Sequence, residues 1–211
     1  MKKKHISFFL ITLLLGLFNC QKQTPTFQIS GSVSDQSLNS VLSDVNITFY
    51  KIKAGSSTPT KIASTQTNSD GTYTIEFDRD LSESYYAIAE KENYFDSEQS
   101  ILFEDLKVGE ENTINFNIYA KSWVKIQLKN LTPEPNDYIT ISKQEGKKNC
   151  LDCCDFFEYT VTNTDTTFYC INNGNSSFSI LYSSFGDNLF NTAIESVTST
   201  SFDTTDLYIS Y

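Results

Sequence analysis

The stretch TNSDGTYTIEF, residues 67–77, decides the fold of this chain. Its second half alternates polar and apolar side chains with a period of two, as a strand with one buried face does. Gly71 can adopt a positive φ angle at no steric cost, and Asn68 or Asp70 can hydrogen-bond to its own turn backbone. Because the residues before Asn68 also favour a strand, the segment predicts the corner of a β-hairpin at Asn68, Asp70 and Gly71.

The same turn has a second interpretation, since Asn68 to Gly71 resembles the start of an EF-hand calcium loop. Such a loop needs further oxygen ligands and a glutamate at its twelfth position. Counted from Asn68, the twelfth position is Arg79. The residues therefore favour a turn over a calcium site.

The period-two alternation continues on both sides of this stretch. Alternating runs lie at 27–33, 45–49, 85–89 and 114–118, and a strand beginning at Trp123 is followed by YITIS, FFEYTVTN, TTFYC, SFSILYSS, TAIESVTST and TTDLYISY. Turn-rich segments separate the runs and no window has a helical period, so the sequence predicts an all-β chain of antiparallel hairpins. The alternation breaks between Ile118 and Trp123. This break indicates one domain over 27–119 and a second over 120–211.

The first half carries three motifs: G-x-V-x-D at 31–35, V-x-I-x-F at 45–49 and T-x-x-D-G-x-Y at 67–73. With these motifs, residues 27–119 resemble the carboxypeptidase regulatory-like domain family. The resemblance implies a transthyretin-like β-sandwich of seven strands in an accessory module without catalytic residues. The chain as a whole resembles uncharacterised Bacteroidota lipoproteins, in which such a domain precedes an Ig-like sandwich. We therefore expect an all-β fold of two tandem β-sandwiches, the first transthyretin-like and the second Ig-like.

Residues 1–20 predict a lipoprotein signal peptide. MKKK is basic, and the apolar run from Ile6 to Phe18 has 13 residues, whereas a bilayer-spanning helix needs ~20. LFNC, which ends at Cys20, resembles a bacterial lipobox, although Asn19 stands where a smaller residue is usual. We expect a diacylglyceryl group on Cys20 to anchor the chain, and residues 21–26 to form a short tether. The expected location is the cell envelope, as an outer membrane lipoprotein facing the periplasm or the cell surface.

The predicted mature chain is strongly acidic. Removal of residues 1–19 takes three of the 16 basic residues and none of the 26 acidic ones, which leaves a formal net charge of −13. Such a charge repels nucleic acid and anionic headgroups. We therefore expect no nucleic-acid partner, and contact with the membrane through the lipid anchor alone.

An even number of cysteines in an exported chain predicts disulfides. Those beyond the lipobox are Cys150, Cys153, Cys154 and Cys170. A bridge between adjacent cysteines would be a strained ring, so two pairings stay open: 150–153 with 154–170, or 150–154 with 153–170. The spacing lacks the two CxxC pairs of a zinc ribbon. The neighbouring acids at 152, 155 and 158 raise a thiol pKa, which disfavours CLDC as a thioredoxin-like redox pair.

Enzymatic chemistry has few candidate residues in this sequence. His5 is the only histidine and lies in the predicted signal peptide, so the mature chain has no histidine general base and no histidine ligand for zinc. The acids of EKENYFDSE are typical of a solvated surface rather than of a glycosidase pair; they are Glu90, Glu92, Asp96 and Glu98. We expect no enzyme, no cofactor and no metal site.

The remaining features favour a non-enzymatic structural, adhesive or protein-interaction module. The alternative is a carbohydrate- or peptide-binding module of the outer membrane, since Trp123, Tyr94 and Phe95 could supply a binding platform. The expected partner is an envelope protein or a glycan.

Overall fold

The computed structural model describes residues 24–80, 82–155, 158–162, 164–186 and 189–211. The predicted signal peptide, the lipidation site Cys20 and part of the predicted tether lie outside the described residues. Among the residues described, no helix is long and apolar enough to cross a membrane.

The described chain is built from strands, with one 3₁₀ turn at Phe103–Asp105. In the first half the strands are β1 (Thr26–Asp35), β2 (Ser40–Val41), β3 (Asn46–Ile52), β4 (Thr60–Gln66), β5 (Thr72–Asp78), β6 (Ser84–Glu90), β7 (Ser97–Leu102), β8 (Glu111–Thr113) and β9 (Phe116–Ile118). In the second half they are β10 (Lys121–Lys129), β11 (Tyr138–Glu145), β12 (Tyr159–Thr162), β13 (Thr166–Asn173), β14 (Ser177–Gly186), β15 (Leu189–Thr198) and β16 (Thr204–Ser210). The predicted all-β class of two tandem sandwiches is confirmed.

In the first sandwich, a sheet of order β2-β1-β5, joined by β8 and β9, faces a sheet of order β4-β3-β6-β7. The predicted alternation places Tyr73, Ile75 and Phe77 inside, with the residues between them exposed. The predicted antiparallel hairpins are present, as in β3–β4 and β6–β7, but β8 and β9 both pair parallel to β1, which the sequence did not predict. The chain crosses from β7 in the far sheet to β8 beside β1, and a parallel pair requires a crossover connection of this kind.

In the second sandwich, a sheet of order β13-β10-β16 faces a sheet of order β12-β11-β14-β15. Here too one pairing is parallel, that of β10 with the C-terminal strand β16. Its core is separate from the first: buried side chains from Phe27 to Ala120 form one cluster, and those from Val124 to Ile209 form another. Ala120 thus packs with the first core although the sequence assigns it to the second domain.

The prediction of a β-hairpin at Asn68, Asp70 and Gly71 is wrong, although these residues do form a tight turn. The backbone NH of Gly71 donates to Asn68 O at 2.9 Å, and Gly71 has a φ of 76°, as expected for a tight turn. However, β4 pairs with β3 and β5 pairs with β1, so the strands flanking the turn lie in different sheets. Local sequence specifies the turn, whereas the pairing of its flanking strands depends on contacts with distant strands.

Candidate functional site

The turn at 68–71 carries the carboxylate of Asp70, which accepts hydrogen bonds from a neighbouring residue. Asp70 Oδ1 accepts hydrogen bonds from the backbone NH of Thr72 at 3.0 Å and from its hydroxyl at 2.7 Å. These two bonds, the hydroxyl first, lower the pKa of Asp70 below its usual value. The geometry is that of a self-capped turn, in which this oxygen is engaged by Thr72.

The four cysteines of the second sandwich form the bridges Cys150–Cys153 and Cys154–Cys170, one of the two pairings left open by the sequence. Their Cα atoms are 5.2 and 5.4 Å apart, as in ordinary disulfides. In this state no thiolate remains to bind zinc. Cys150 lies in a bend and not at the helix N-terminus that a thioredoxin-like pair needs.

The disulfide loop is also held by a buried cation. The Lys143 side chain is 2% exposed, and its Nζ donates to Lys147 O, Cys153 O and Asp155 Oδ1 at 2.5–2.6 Å. The hydrogen bond from Lys143 lowers the pKa of Asp155. Beside this ion pair lies an open groove of about 760 Å³, with Thr140, Ser142 and Ser183 among its lining residues. The groove has both polar and apolar lining residues, and its Lys143–Asp155 pair already holds the loop.

The predicted surface acids lie where the sequence places them. Glu90, Glu92, Asp96 and Glu98 are all exposed. Among the described residues, no group of three or more His, Cys, Asp or Glu side chains is arranged to hold a metal ion.

A buried polar site lies at the junction of the two sandwiches. Asp35, the last residue of the G-x-V-x-D motif, is 1% exposed. Its Oδ1 accepts the backbone NH groups of Ser37 and Leu38, and its Oδ2 accepts the Tyr94 hydroxyl at 2.9 Å. Burial, followed by this bond to Asp35, raises the pKa of Tyr94. A buried carboxylate is stabilised by such donors, so Asp35 fixes the Tyr94 ring at the end of the first sandwich.

The second sandwich contacts that ring directly. Phe202 packs edge-on against Tyr94 with ring centroids 5.3 Å apart. Next to this contact, Gly174 N donates to Ala120 O and Phe202 N donates to Lys121 O, each at 2.8 Å. The Asn175 side chain donates to Ser37 O, also at 2.8 Å. Only two residues separate β9 from β10, so the junction is a packed contact without a linker.

Of the aromatic residues named by the sequence, two lie at this junction. Tyr94 is buried, and Phe95 lies under the Nζ atoms of Lys121 and Lys147, at 5.6 and 4.8 Å from the ring centroid. Because both lysines belong to the second sandwich, these cation–π contacts tie Phe95 of the first sandwich to the second. Sequence reasoning missed Phe202 and Asn175; an apolar Phe202 inside the polar turn TSFDTT was the available signal.

The third, Trp123, lies on the outer face of the sheet β13-β10-β16. Its neighbours Val124 and Ile126 point into the core, so Trp123 and Lys125 point outward. Tyr169 pairs with Lys125 and is 57% exposed, and Tyr208 is 66% exposed on the same face. The polar groups between the rings are ordered: Gln127 Nε2 donates to Asp206 Oδ1 at 2.8 Å, and Lys125 Nζ lies 3.7 Å from that oxygen. We call these residues the Trp123 face.

Comparison with known proteins gives structural similarities alone. No protein-family model and no curated protein sequence matches the chain. Among solved structures, the Bacillus anthracis TIE protein has a TM-score of 0.38 and 12% identity over 88% of this chain, which spans 34% of that protein. The minor pilin GBS52 of Streptococcus agalactiae has a TM-score of 0.37 and 12% identity, and the match covers 87% of this chain and 94% of GBS52. The shaft pilin SpaA from Lactobacillus rhamnosus GG has a TM-score of 0.33 and 10% identity, and the match covers 89% of this chain and 98% of SpaA. Similarities this distant carry no functional argument.

Proposed function

We propose that the protein is a non-enzymatic structural or adhesive module of the cell envelope, anchored through Cys20. In this proposal the two sandwiches form a stiff spacer that holds the second sandwich away from the membrane. The first sandwich is proposed to be a carboxypeptidase regulatory-like domain, on the motifs at 31–35, 45–49 and 67–73. The partner is an envelope protein or a glycan, in the outer membrane or on the cell surface.

The observation that carries the proposal is the junction. A chain that must bend between domains uses a polar linker and a small, mobile contact. Here the Tyr94–Phe202 ring contact, the backbone hydrogen bond from Gly174 to Ala120 and the side-chain bond from Asn175 to Ser37 all cross between the sandwiches within a few residues. Bending at the junction would break these hydrogen bonds and leave polar groups without partners, which costs free energy.

Distance measurement between spin labels tests the stiffness. Lys61→Cys in the first sandwich and Thr162→Cys in the second place labels on exposed strand positions. The expected result is one narrow distance distribution for the full chain in detergent. A broad or multimodal distribution in the otherwise unaltered protein would defeat the spacer function.

Labelling of producing cells with radioactive palmitate tests the anchor. The full chain is expected to take up label and to sediment with membranes, because two acyl chains give stable attachment. Cys20→Ala is expected to lose both properties, and Cys20→Ala protein that still takes up label would refute the anchor.

A second candidate function is carbohydrate binding, and the Trp123 face favours it. Aromatic faces stack on apolar sugar faces, and ordered polar groups between them bind hydroxyls. On this face Asp206 is held between Gln127 and Lys125.

A glycan array with the full chain tests this second function. If a glycan binds, the double variant Tyr169→Ala/Tyr208→Ala is expected to bind it at least about tenfold more weakly, whereas Tyr119→Ala on the first sandwich keeps the affinity. Absence of any bound glycan, or equal loss in both variants, would remove this function.

A further inference from the structure

Strand β15 is a long edge strand without the usual protection. It is the last strand in the order β12-β11-β14-β15 and runs for ten residues, Leu189–Thr198, paired along its whole length with β14. Natural edge strands are blunted by lysine, proline, bulges or short length. The sequence LFNTAIESVT has no lysine or proline, and the β14–β15 register is free of shifts.

Three other edge strands carry such protection. Strand β12 has four residues, and β4 carries Lys61 and a register shift at Phe49/Tyr50. Strand β13 is covered by the disulfide loop, because Ile171 N donates to Asp152 O at 2.8 Å. Strand β15, with ten residues, is also longer than the edge strands β7, with six, and β16, with seven.

The edge also carries exposed apolar side chains. Phe190 is 66% exposed and Ile194 is 59% exposed, and both point to the outer face, as does Thr192 between them. Phe190 ends a row of rings that crosses three strands: Tyr138 stacks on Phe185 at 4.5 Å, and Phe185 contacts Phe190 at 4.9 Å. In the next row, Leu181 pairs directly with Ile194. Both apolar rows stop at the open edge.

We propose that β15 pairs antiparallel with β15 of a second copy of this chain, about a two-fold axis through Thr192. A two-fold axis perpendicular to the sheet sets outward residues against outward residues. An axis centred on Thr192 places Phe190 opposite Ile194 of the second copy, and symmetry repeats this contact. The row of rings in each copy then continues into the Leu181–Ile194 row of the other copy. An axis centred on Ile194 instead would set Phe190 against the polar Thr198. The apolar pattern therefore selects the Thr192 register.

Charge does not oppose this pairing locally. The overlapping segment, 189–195, has one charged residue, Glu195. In the proposed register each Glu195 lies opposite position 189, so the two carboxylates are about 20 Å apart along the strands. That separation exceeds the Debye length of about 8–10 Å at physiological salt. The inference depends only on the edge strand and is independent of the proposed anchor and spacer.

Cysteine cross-linking in cells that produce the full chain tests the proposal. In the proposed register the two Thr192 Cα atoms are about 4.5–5.5 Å apart, within reach of a disulfide. Thr192→Cys is expected to give a dimer band on a non-reducing gel that disappears with reductant. The matched control is Thr198→Cys, an exposed threonine on the same face of the same strand, whose two copies would lie about 40 Å apart.

We expect at least about tenfold more dimer from Thr192→Cys than from Thr198→Cys. Adding Ile194→Lys to Thr192→Cys is expected to remove that band, while the circular dichroism of the purified protein stays unchanged because Ile194 is exposed. Equal cross-linking of the two cysteine variants, or none in either, would overturn the inference. Stronger cross-linking of Ile194→Cys than of Thr192→Cys would overturn the register.

Discussion

The ring of Tyr94 in the first sandwich and the ring of Phe202 in the second meet edge-on, with their centroids 5.3 Å apart. Neither ring is free to move alone. The Tyr94 hydroxyl is bonded to the buried carboxylate of Asp35, and the Phe202 NH is bonded to Lys121 O in the strand that leaves the junction. Two residues more than 100 positions apart thus link the hydrogen-bond network of one sandwich to the backbone of the other.

Phe202→Ala is expected to loosen the junction while leaving both cores intact. The ring contact stabilises by about 0.5–1.5 kcal/mol beyond its buried area, and Phe202 is 43% exposed, outside both clusters. The Lys61–Thr162 label distribution should become at least twice as wide. Tyr208→Ala, which removes another exposed aromatic residue, is the control and should leave the width unchanged. An unchanged distribution for Phe202→Ala would show that the ring contact does not hold the two sandwiches.

Tyr94→Phe is expected to destabilise the first sandwich by about 1.5–3 kcal/mol, because it removes a hydrogen bond to a buried charge. Tyr73→Phe is the comparison: it removes the hydroxyl of another buried tyrosine, bonded to the neutral Ile114 O at 2.7 Å, and should lower the free energy of unfolding by about 1 kcal/mol. Urea unfolding measures both. Equal losses would mean that the charge of Asp35 contributes nothing.

Tyr94 also makes a prediction about alkaline pH. Its folded-state pKa is raised, so its stabilising effect is complete below the unfolded value of about 10 and is lost as the pH rises toward the raised folded value. The wild type should lose stability above pH 10 more steeply than Tyr94→Phe. Parallel pH profiles would contradict this assignment.

Much of the fold could be predicted from the sequence, because alternation is a local property. Tyr73, Ile75 and Phe77 are buried as their spacing requires, and strands were expected near each of β10 to β16. Sheet membership was not predictable, since the turn at Gly71 looks the same whether its strands pair together or with others. The junction was hidden for the same reason: Asp35 ends the G-x-V-x-D motif, but the Tyr94 hydroxyl that it accepts lies 59 positions away in the sequence.

Gly31 shows how the G-x-V-x-D motif encodes a long-range contact. A Cβ built at Gly31 would lie 1.7 Å from the backbone oxygen of Ile114 and 2.9 Å from the Tyr73 ring. Because the added Cβ would meet backbone atoms, Gly31→Ala should lower the free energy of unfolding by about 3 kcal/mol or more, at the upper end for overpacking. Gly174→Ala is a useful contrast, since the side-chain oxygen of Ser201 is among the atoms it meets, and Ser201→Ala should partly relieve it. Near-wild-type urea midpoints for Gly31→Ala would refute the close approach.

The two disulfides should differ in their contribution to stability. Cys154–Cys170 closes a loop of sequence separation 16, and Cys150–Cys153 one of separation 3. Loop-closure entropy gives about 3 kcal/mol for the longer and about 2 kcal/mol for the shorter. Cys154→Ala/Cys170→Ala should therefore lower the urea midpoint of the second sandwich more than Cys150→Ala/Cys153→Ala does. The reverse order would show that strain or unfolded-state structure dominates.

Asp155→Asn tests the ion pair that holds the disulfide loop, and its effect should depend on pH. The pKa of Asp155 is lowered in the folded state, so the stabilisation is present above the unfolded value of about 3.9 and is lost as the pH falls through the lowered value. At pH 7 we expect a loss of about 1.5–3 kcal/mol, because Lys143 stays buried with a weaker partner. Glu110→Gln, which removes an exposed pair with Lys107, should change stability by no more than about 0.5 kcal/mol. As the pH falls through the lowered folded-state pKa of Asp155, wild type and Asp155→Asn should converge in urea unfolding, because the carboxyl becomes neutral in both states of the wild type. A difference that stays constant from pH 7 to pH 3 would mean that Asp155 acts through its shape and hydrogen bonds rather than through its charge.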